Sequence, residues 1–162
     1  MRKVVVNTTP LIALSHVSQL DILKKLYGGI IIPEAVYSEL SVKTESTCKK
    51  AVDRSLEWIR VESIKNQMAK TMYKTQLHDG EVEVMILSKE IAADMVIIDD
   101  ANAKKHARYL GLPVTGTLGV LIKAKQEGHV NELKPILRQM VESGIYISQN
   151  LMELCLRQVG EA

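Results

Sequence analysis

The sequence predicts an α/β domain in which a central parallel sheet carries helices on its faces. Three observations point there. Short β-branched apolar runs alternate with stretches of helical period along the whole chain, the signature of parallel strands joined by helices. The clearest runs are apolar throughout, as strands covered on both sides must be. The 162 residues, 46% hydrophobic and 25% charged, make one globular domain over 1–162 and leave no room for two.

Val4 to Val6 is the first expected strand, followed by the turn Asn7-Thr8-Thr9-Pro10 and a helical segment over 11–17. Ser18 and Asp21 have capping-box spacing and open a second helix, which Gly28-Gly29 ends. Ile30 to Ile32 form the next strand, and Pro33 suits the first turn of a helix running to Leu40. Residues 41–76 read less clearly: a charged helix near 45–56, a strand over 58–62 and a helix over 66–73. Asp79-Gly80 lead a helix to about Ala93, Met95 to Ile98 make a strand ending at Asp99-Asp100, and the helix 101–110 closes at Gly111. A short strand over 113–115 precedes helices at 117–127 and 132–143, which Gly128 and Gly144 close. A final strand over 145–147 and helix over 148–159 complete the chain.

Several function classes drop out. With no Phe, one Trp and five Tyr, aromatic platforms for base stacking are not expected. A net charge of +2 argues for no partner by itself. Cys48 and Cys155 form no metal or disulfide pattern, which fits a reducing cytosol, and the N-terminal apolar run is too short for a signal peptide or a membrane span. The GxxxxGT of 111–117 lacks the Lys of a phosphate-binding loop. A phosphoacceptor receiver domain needs an acidic pair after the first strand, where this chain has Asn7-Thr8.

Parallel sheets bind ligands beyond the carboxyl ends of their strands, which here offer Asn7, Thr8 and Thr9, then Asp99 and Asp100, then Thr115 and Thr117. Glu39, near the end of its helix, stands where the helix dipole disfavours a carboxylate. Glu81 lies in the first turn of its helix and Glu83 two residues on, so the two point different ways. Of Asp99 and Asp100, an N-cap role accounts for only one. Glu39, Glu81 and Asp100 come from three elements that one rim could gather. Clustered carboxylates without His or Cys suit a hard divalent cation, Mg²⁺ or Mn²⁺. Residues 101–126 hold Lys104, Lys105, Arg108, Lys123 and Lys125 and no acid, which suits a phosphodiester beside the acidic rim.

These residues resemble the PIN-domain family of metal-dependent nucleases, in its small prokaryotic single-domain branch. The carriers are VVVNTTPLIALSHV at 4–17, IIIPEAVYSEL at 30–40, LHDGEVEVMILS at 77–88, VIIDDANAKKHARYLGLPVTGTLGVLIKAKQEG at 96–128 and ISQNLMELCLRQVGE at 147–161. The resemblance implies a three-layer domain, a Mg²⁺ or Mn²⁺ site, and cleavage of RNA by metal-activated water. Carried over by position, the helical Glu is Glu39, the third acid Glu81 and the strand-end acid Asp100, chosen over Asp99 for its spacing to Gly111. Asp99 and Glu83 support them, and Thr9 or Thr117 places water or phosphate by hydrogen bonds. Asn7 stands where the family usually has Asp, replacing a charged ligand by an amide. The resemblance implies an endoribonuclease, and with it come the expectations of a toxin-type role and of an antitoxin or a second copy of the chain as partner. The alternative, which Asn7 raises, is a catalytically weak or inactive module of the same fold that binds RNA or protein.

Overall fold

The computed structural model describes residues 2–42, 46–73 and 77–162. Among them are five strands: β1 (Val4–Val6), β2 (Ile30–Pro33), β3 (Ile59–Glu62), β4 (Met95–Ile97) and β5 (Val114–Thr115). All pair in parallel, in the order β3-β2-β1-β4-β5. β1 is central because its three valines can give up all contact with solvent, and each is 0% exposed. The chain moves from β1 through β2 to β3 on one side, then returns to lay β4 and β5 on the other. The order reverses between β1 and β4, so the crevice outside their carboxyl ends is the natural ligand position.

Helices α1 (Thr8–His16), α2 (Asp21–Tyr27), α3 (Glu34–Val42), α4 (Ser46–Asp53) and α5 (Gln67–Tyr73) precede β4 together with α6 (Asp79–Glu90). After it come α7 (Ala101–Tyr109), α8 (Thr117–Gln126), α9 (Lys134–Glu142) and α10 (Gln149–Gln158). One aliphatic core joins the layers, including Leu11, Leu14, Leu23, Ile32, Leu40, Met85 and Ile97. Burying each such side chain stabilises by about 1.5–3 kcal/mol. α3 lies against α6, and that pair frames the acidic part of the rim.

The expected α/β three-layer architecture is what the chain adopts, with four local differences. Ile145 to Ile147 form no strand. The Ile145 amide donates to the Met140 carbonyl at 3.0 Å, so the segment ends α9; Ile145 and Ile147 pack on the core while Tyr146 is 88% exposed. Their alternation thus reflects one face laid over a core rather than a sheet. Pro33 belongs to β2, opposite Glu62, and α3 starts one residue later. Ser18 makes no capping box: its φ is 55°, and α2 starts from Leu20 without a side-chain cap. The helix read from Leu11 begins at Thr8, because Asn7 already occupies the N-cap position. The charged helix read over 45–56 is α4, and its first expected residue lies outside the described residues.

Candidate active site

Asn7 ends β1 at the switch point. Its amide donates to the Ile97 carbonyl at 2.9 Å, carrying the β1–β4 pairing one residue past the strand. Extended backbone there makes it the N-cap of α1, yet its side chain makes no capping bond. The residue is 5% exposed, and its Oδ1 has no hydrogen-bond partner. An unsatisfied buried carbonyl costs about 1–3 kcal/mol, so this oxygen needs a reason. Asn7 lines a cavity of about 560 Å³ with Thr8, Thr9, Glu39, Asp79 and Glu81.

Glu39 enters from α3. Its carboxylate accepts from the Thr8 hydroxyl at 2.8 Å and from the Gly80 amide at 2.9 Å. Gly80 is in the first turn of α6, where backbone amides lack helical partners and favour an anion. The carboxylate that is poorly placed on its own helix therefore caps another. A Cβ at 80 would land on Glu39 Oε1, so any other residue there would push the carboxylate out of this position. Glu81 is 8% exposed, and its carboxylate accepts from the His78 backbone amide at 3.1 Å, half of a capping box.

Glu83 returns the arrangement from α6 to α3. Its Oε1 accepts from the Ala35 amide in the first turn of α3 at 3.0 Å, and its Oε2 accepts from Lys70 at 2.7 Å. The hydrogen bond that Lys70 donates to Glu83 raises the Lys70 pKa above that of a free lysine. Each helix thus caps the other with its own glutamate. Glu83 faces a neighbouring cavity of about 430 Å³, which it shares with Glu39 and Asp79.

The adjacent aspartates divide their work. Asp100 is exposed and caps α7, its Oδ2 accepting from the Ala103 amide at 2.9 Å. Asp99 points elsewhere: it accepts from the Thr117 amide at 2.7 Å and from the Thr117 hydroxyl at 2.6 Å, capping α8 from outside. Gly116 lets this happen, because a Cβ there would lie 2.8 Å from both Asp99 Oδ1 and Lys104 Nζ. Asp99, Thr9, Lys104, Arg108 and Thr117 line a second cavity of about 600 Å³, beside the first. The described lining of the Asn7 cavity takes in neither aspartate.

The basic stretch splits likewise. Lys104 and Arg108, one helical turn apart, face the second cavity, whereas Lys105 is exposed and outside its described lining. Lys123 lies 5.1 Å from the centre of the Tyr27 ring and 3.9 Å from Glu127. Lys125 pairs with Glu161 at 3.5 Å. Asp79, Gly80 and Lys70 were absent from the sequence-based candidates. Gly80 beside Glu81 at a helix start was a usable signal, but nothing local marks Lys70.

Among the described residues, no three His, Cys, Asp or Glu side chains gather as a metal-binding cluster. The oxygen set sharing the Asn7 cavity is instead two glutamates, Asp79 and an amide carbonyl. Hard oxygens suit Mg²⁺ or Mn²⁺, and the orphaned Asn7 Oδ1 is the atom whose buried position such a cation would satisfy. These hard oxygen donors are of the type a divalent cation takes, with one negative charge fewer than an aspartate at position 7 would give.

No curated protein matches the chain. The family model described as a PIN domain matches residues 3–161, nearly the whole length. That family has a nuclease-type fold, and its members generally depend on a divalent metal and act on RNA. With its five-stranded parallel sheet and this match, the chain belongs to the PIN-domain family.

Proposed function

We propose that the chain is an endoribonuclease that hydrolyses RNA phosphodiesters with the help of Mg²⁺ or Mn²⁺. The observation that carries the reading is the buried, unpartnered Asn7 Oδ1 at the switch point, in one cavity with Glu39 and Glu81. Those three residues would hold the cation. When bound, it would neutralise charge on the phosphoryl oxygens and make water a better nucleophile.

The chain's own groups supply the rest. Thr9 borders both cavities and offers a hydroxyl to a phosphate oxygen or a water. Lys104 and Arg108 hold the strand's negative backbone on the far side of Thr9. Asp99 positions Thr117, and this contact favours Asp99 over Asp100 as the strand-end acid that matters. Asp100 keeps α7 in place, and Glu83 fixes α3 against α6.

A toxin-type role, with an antitoxin or a second copy of the chain as partner, belongs to this proposal, as does a cytosolic setting in which Cys48 and Cys155 stay reduced thiols. The second reading, a module of this fold that binds RNA or protein without cleaving, draws on Asn7 itself, since a neutral amide binds a cation less strongly than a carboxylate. Purified protein incubated with RNA and Mn²⁺ separates the two. Cleavage that chelator stops and that Glu39→Gln, folded as the parent is, abolishes supports the nuclease; absence of cleavage in the parent leaves the binding module.

A further inference from the structure

The second cavity takes no direct part in the chemistry proposed above, yet it is the larger. It holds about 600 Å³, within the roughly 300–1,000 Å³ typical of sites that enclose a small molecule. Its walls are of two kinds. Ile12, Met140, Ile147 and Leu151 give an apolar surface, while Lys104 and Arg108 put two cations on one side. Tyr146 stands at this cavity and is 88% exposed, so packing does not explain an aromatic ring there.

Asp99 keeps its negative charge while Thr117 holds both of its carboxylate oxygens, so an anion in this cavity is held on the Lys104 and Arg108 side. The α8 amide at 117 is thereby used up, which leaves Lys104 and Arg108 as the anion-holding groups. Thr9 lines this cavity and the acidic one alike. A strand whose phosphate sits by the acidic cavity and that runs on past Thr9 meets this apolar and cationic surface at its next nucleotide.

We propose that this cavity is a nucleotide subsite for single-stranded RNA, holding a base between Tyr146 and the apolar wall and its phosphate by Lys104 and Arg108. One aromatic ring at a cleft is enough for such a role. A multi-ring platform, which the composition excludes, is not needed. Duplex RNA is disfavoured because its bases are stacked within the helix and cannot enter a cleft. The subsite rests on the nuclease reading only for the direction of the strand. Binding itself requires no cleavage.

The test is made on the whole chain in chelator. Nucleoside 5′-monophosphates and inorganic phosphate are titrated by calorimetry, and a fluorescein-labelled single-stranded oligoribonucleotide by anisotropy. The monophosphate is expected to bind at least tenfold more tightly than inorganic phosphate. Tyr146→Ala should weaken the oligonucleotide about tenfold, the order of one lost base stack. Arg108→Gln should weaken it and lower the salt slope by about one unit. Both residues are exposed, so thermal melts should match the parent. Arg138→Gln, an equal charge loss on α9 outside the cavity's described lining, should bind as the parent does.

A monophosphate that binds no better than phosphate, or oligonucleotide affinities of Tyr146→Ala and Arg108→Gln within twofold of the parent, would overturn the subsite. The nuclease reading fails separately. Pocket-dependent binding with no cleavage of any RNA in Mn²⁺ removes the nuclease and keeps the subsite; cleavage unaffected by both variants does the reverse.

Discussion

Asn7→Asp tests the acidic cavity most directly, because it changes charge with almost no change in size. The native residue is 5% exposed, its Oδ1 has no donor, and Glu39 and Glu81 share its cavity. Without metal, the new carboxylate meets existing negative charge. Two carboxylates about 5 Å apart repel by roughly 3 kcal/mol at an effective dielectric constant near 20. An aspartate at the N-cap of α1 gives back about 0.5–1 kcal/mol through the helix dipole. The net cost is about 2 kcal/mol, or a melting temperature lower by about 4–8 °C in chelator for a domain of this size.

With a divalent cation the sign reverses. Stabilisation by a bound ligand grows as the logarithm of its concentration over Kd, so affinity tightened a hundredfold adds about 2.7 kcal/mol at saturation. Scanning calorimetry of both proteins, in chelator and across a Mn²⁺ titration, reads this without any assay of cleavage. Asn7→Asp should start below the parent, rise more steeply with Mn²⁺ and finish level with or above it. Melting temperatures independent of Mn²⁺ in both proteins would refute the cation site. A variant that melts higher in chelator would show that α1 capping outweighs repulsion, and so that no crowded acidic cavity surrounds position 7.

The remaining predictions concern the groups around it. Gly80→Ala should cost stability in the parent, by displacing Glu39, but gain about 1 kcal/mol in a Glu39→Ala background, where only helix propensity remains; urea melts of the four-member cycle check the coupling. Lys70→Met leaves Glu83 buried without its cation and should cost about 1–3 kcal/mol in urea melts. Because Glu83 raises the Lys70 pKa, the pair's contribution should be fully present below the free-lysine range near 10.5 and fade only as pH climbs through the higher folded value. Asp100→Ala should lose about 1 kcal/mol of capping with little change in RNA cleavage, whereas Asp99→Asn should impair cleavage; equal effects on cleavage would remove the distinction between them.

How far the sequence showed this depends on how far apart the partners lie along the chain. β1, β2 and β4 were readable because each is a run of β-branched residues with no polar interruption. Asn7, Asp99 and Thr115 follow as strand ends on one rim of a parallel sheet. β5, at two residues, and the false strand at 145–147 show the limit: short apolar runs specify burial, and what they are buried against is a tertiary matter. The choice of Asp100 over Asp99 rested on spacing, while the local pattern of an acid just before a helix marks Asp100 as an N-cap. The N-cap reading accounts for one acid of the pair, and the other is the one that reaches another element.

Glu39 and Glu83 were beyond local reading for a different reason. Their partners, the amides of Gly80 and Ala35, are 41 and 48 residues away. This reciprocal capping bears on how any variant of the site must be judged. Glu39, which would hold a cation, also satisfies the Gly80 amide of a neighbouring helix, so removing it would take away a proposed ligand and also uncap α6. A loss of cleavage in Glu39→Ala alone therefore cannot separate chemistry from unfolding. Glu39→Gln separates them, since its amide oxygen can still accept from the Gly80 amide and its NH2 can donate to the Thr8 hydroxyl, whose role is reversed, while the charge is gone. Cleavage should fall by at least tenfold in Glu39→Gln while the melting temperature in chelator holds or rises, because one of the repelling charges has been removed. A Glu39→Gln protein that melts several degrees lower in chelator and keeps its cleavage would mean that Glu39 is a helix cap and nothing more.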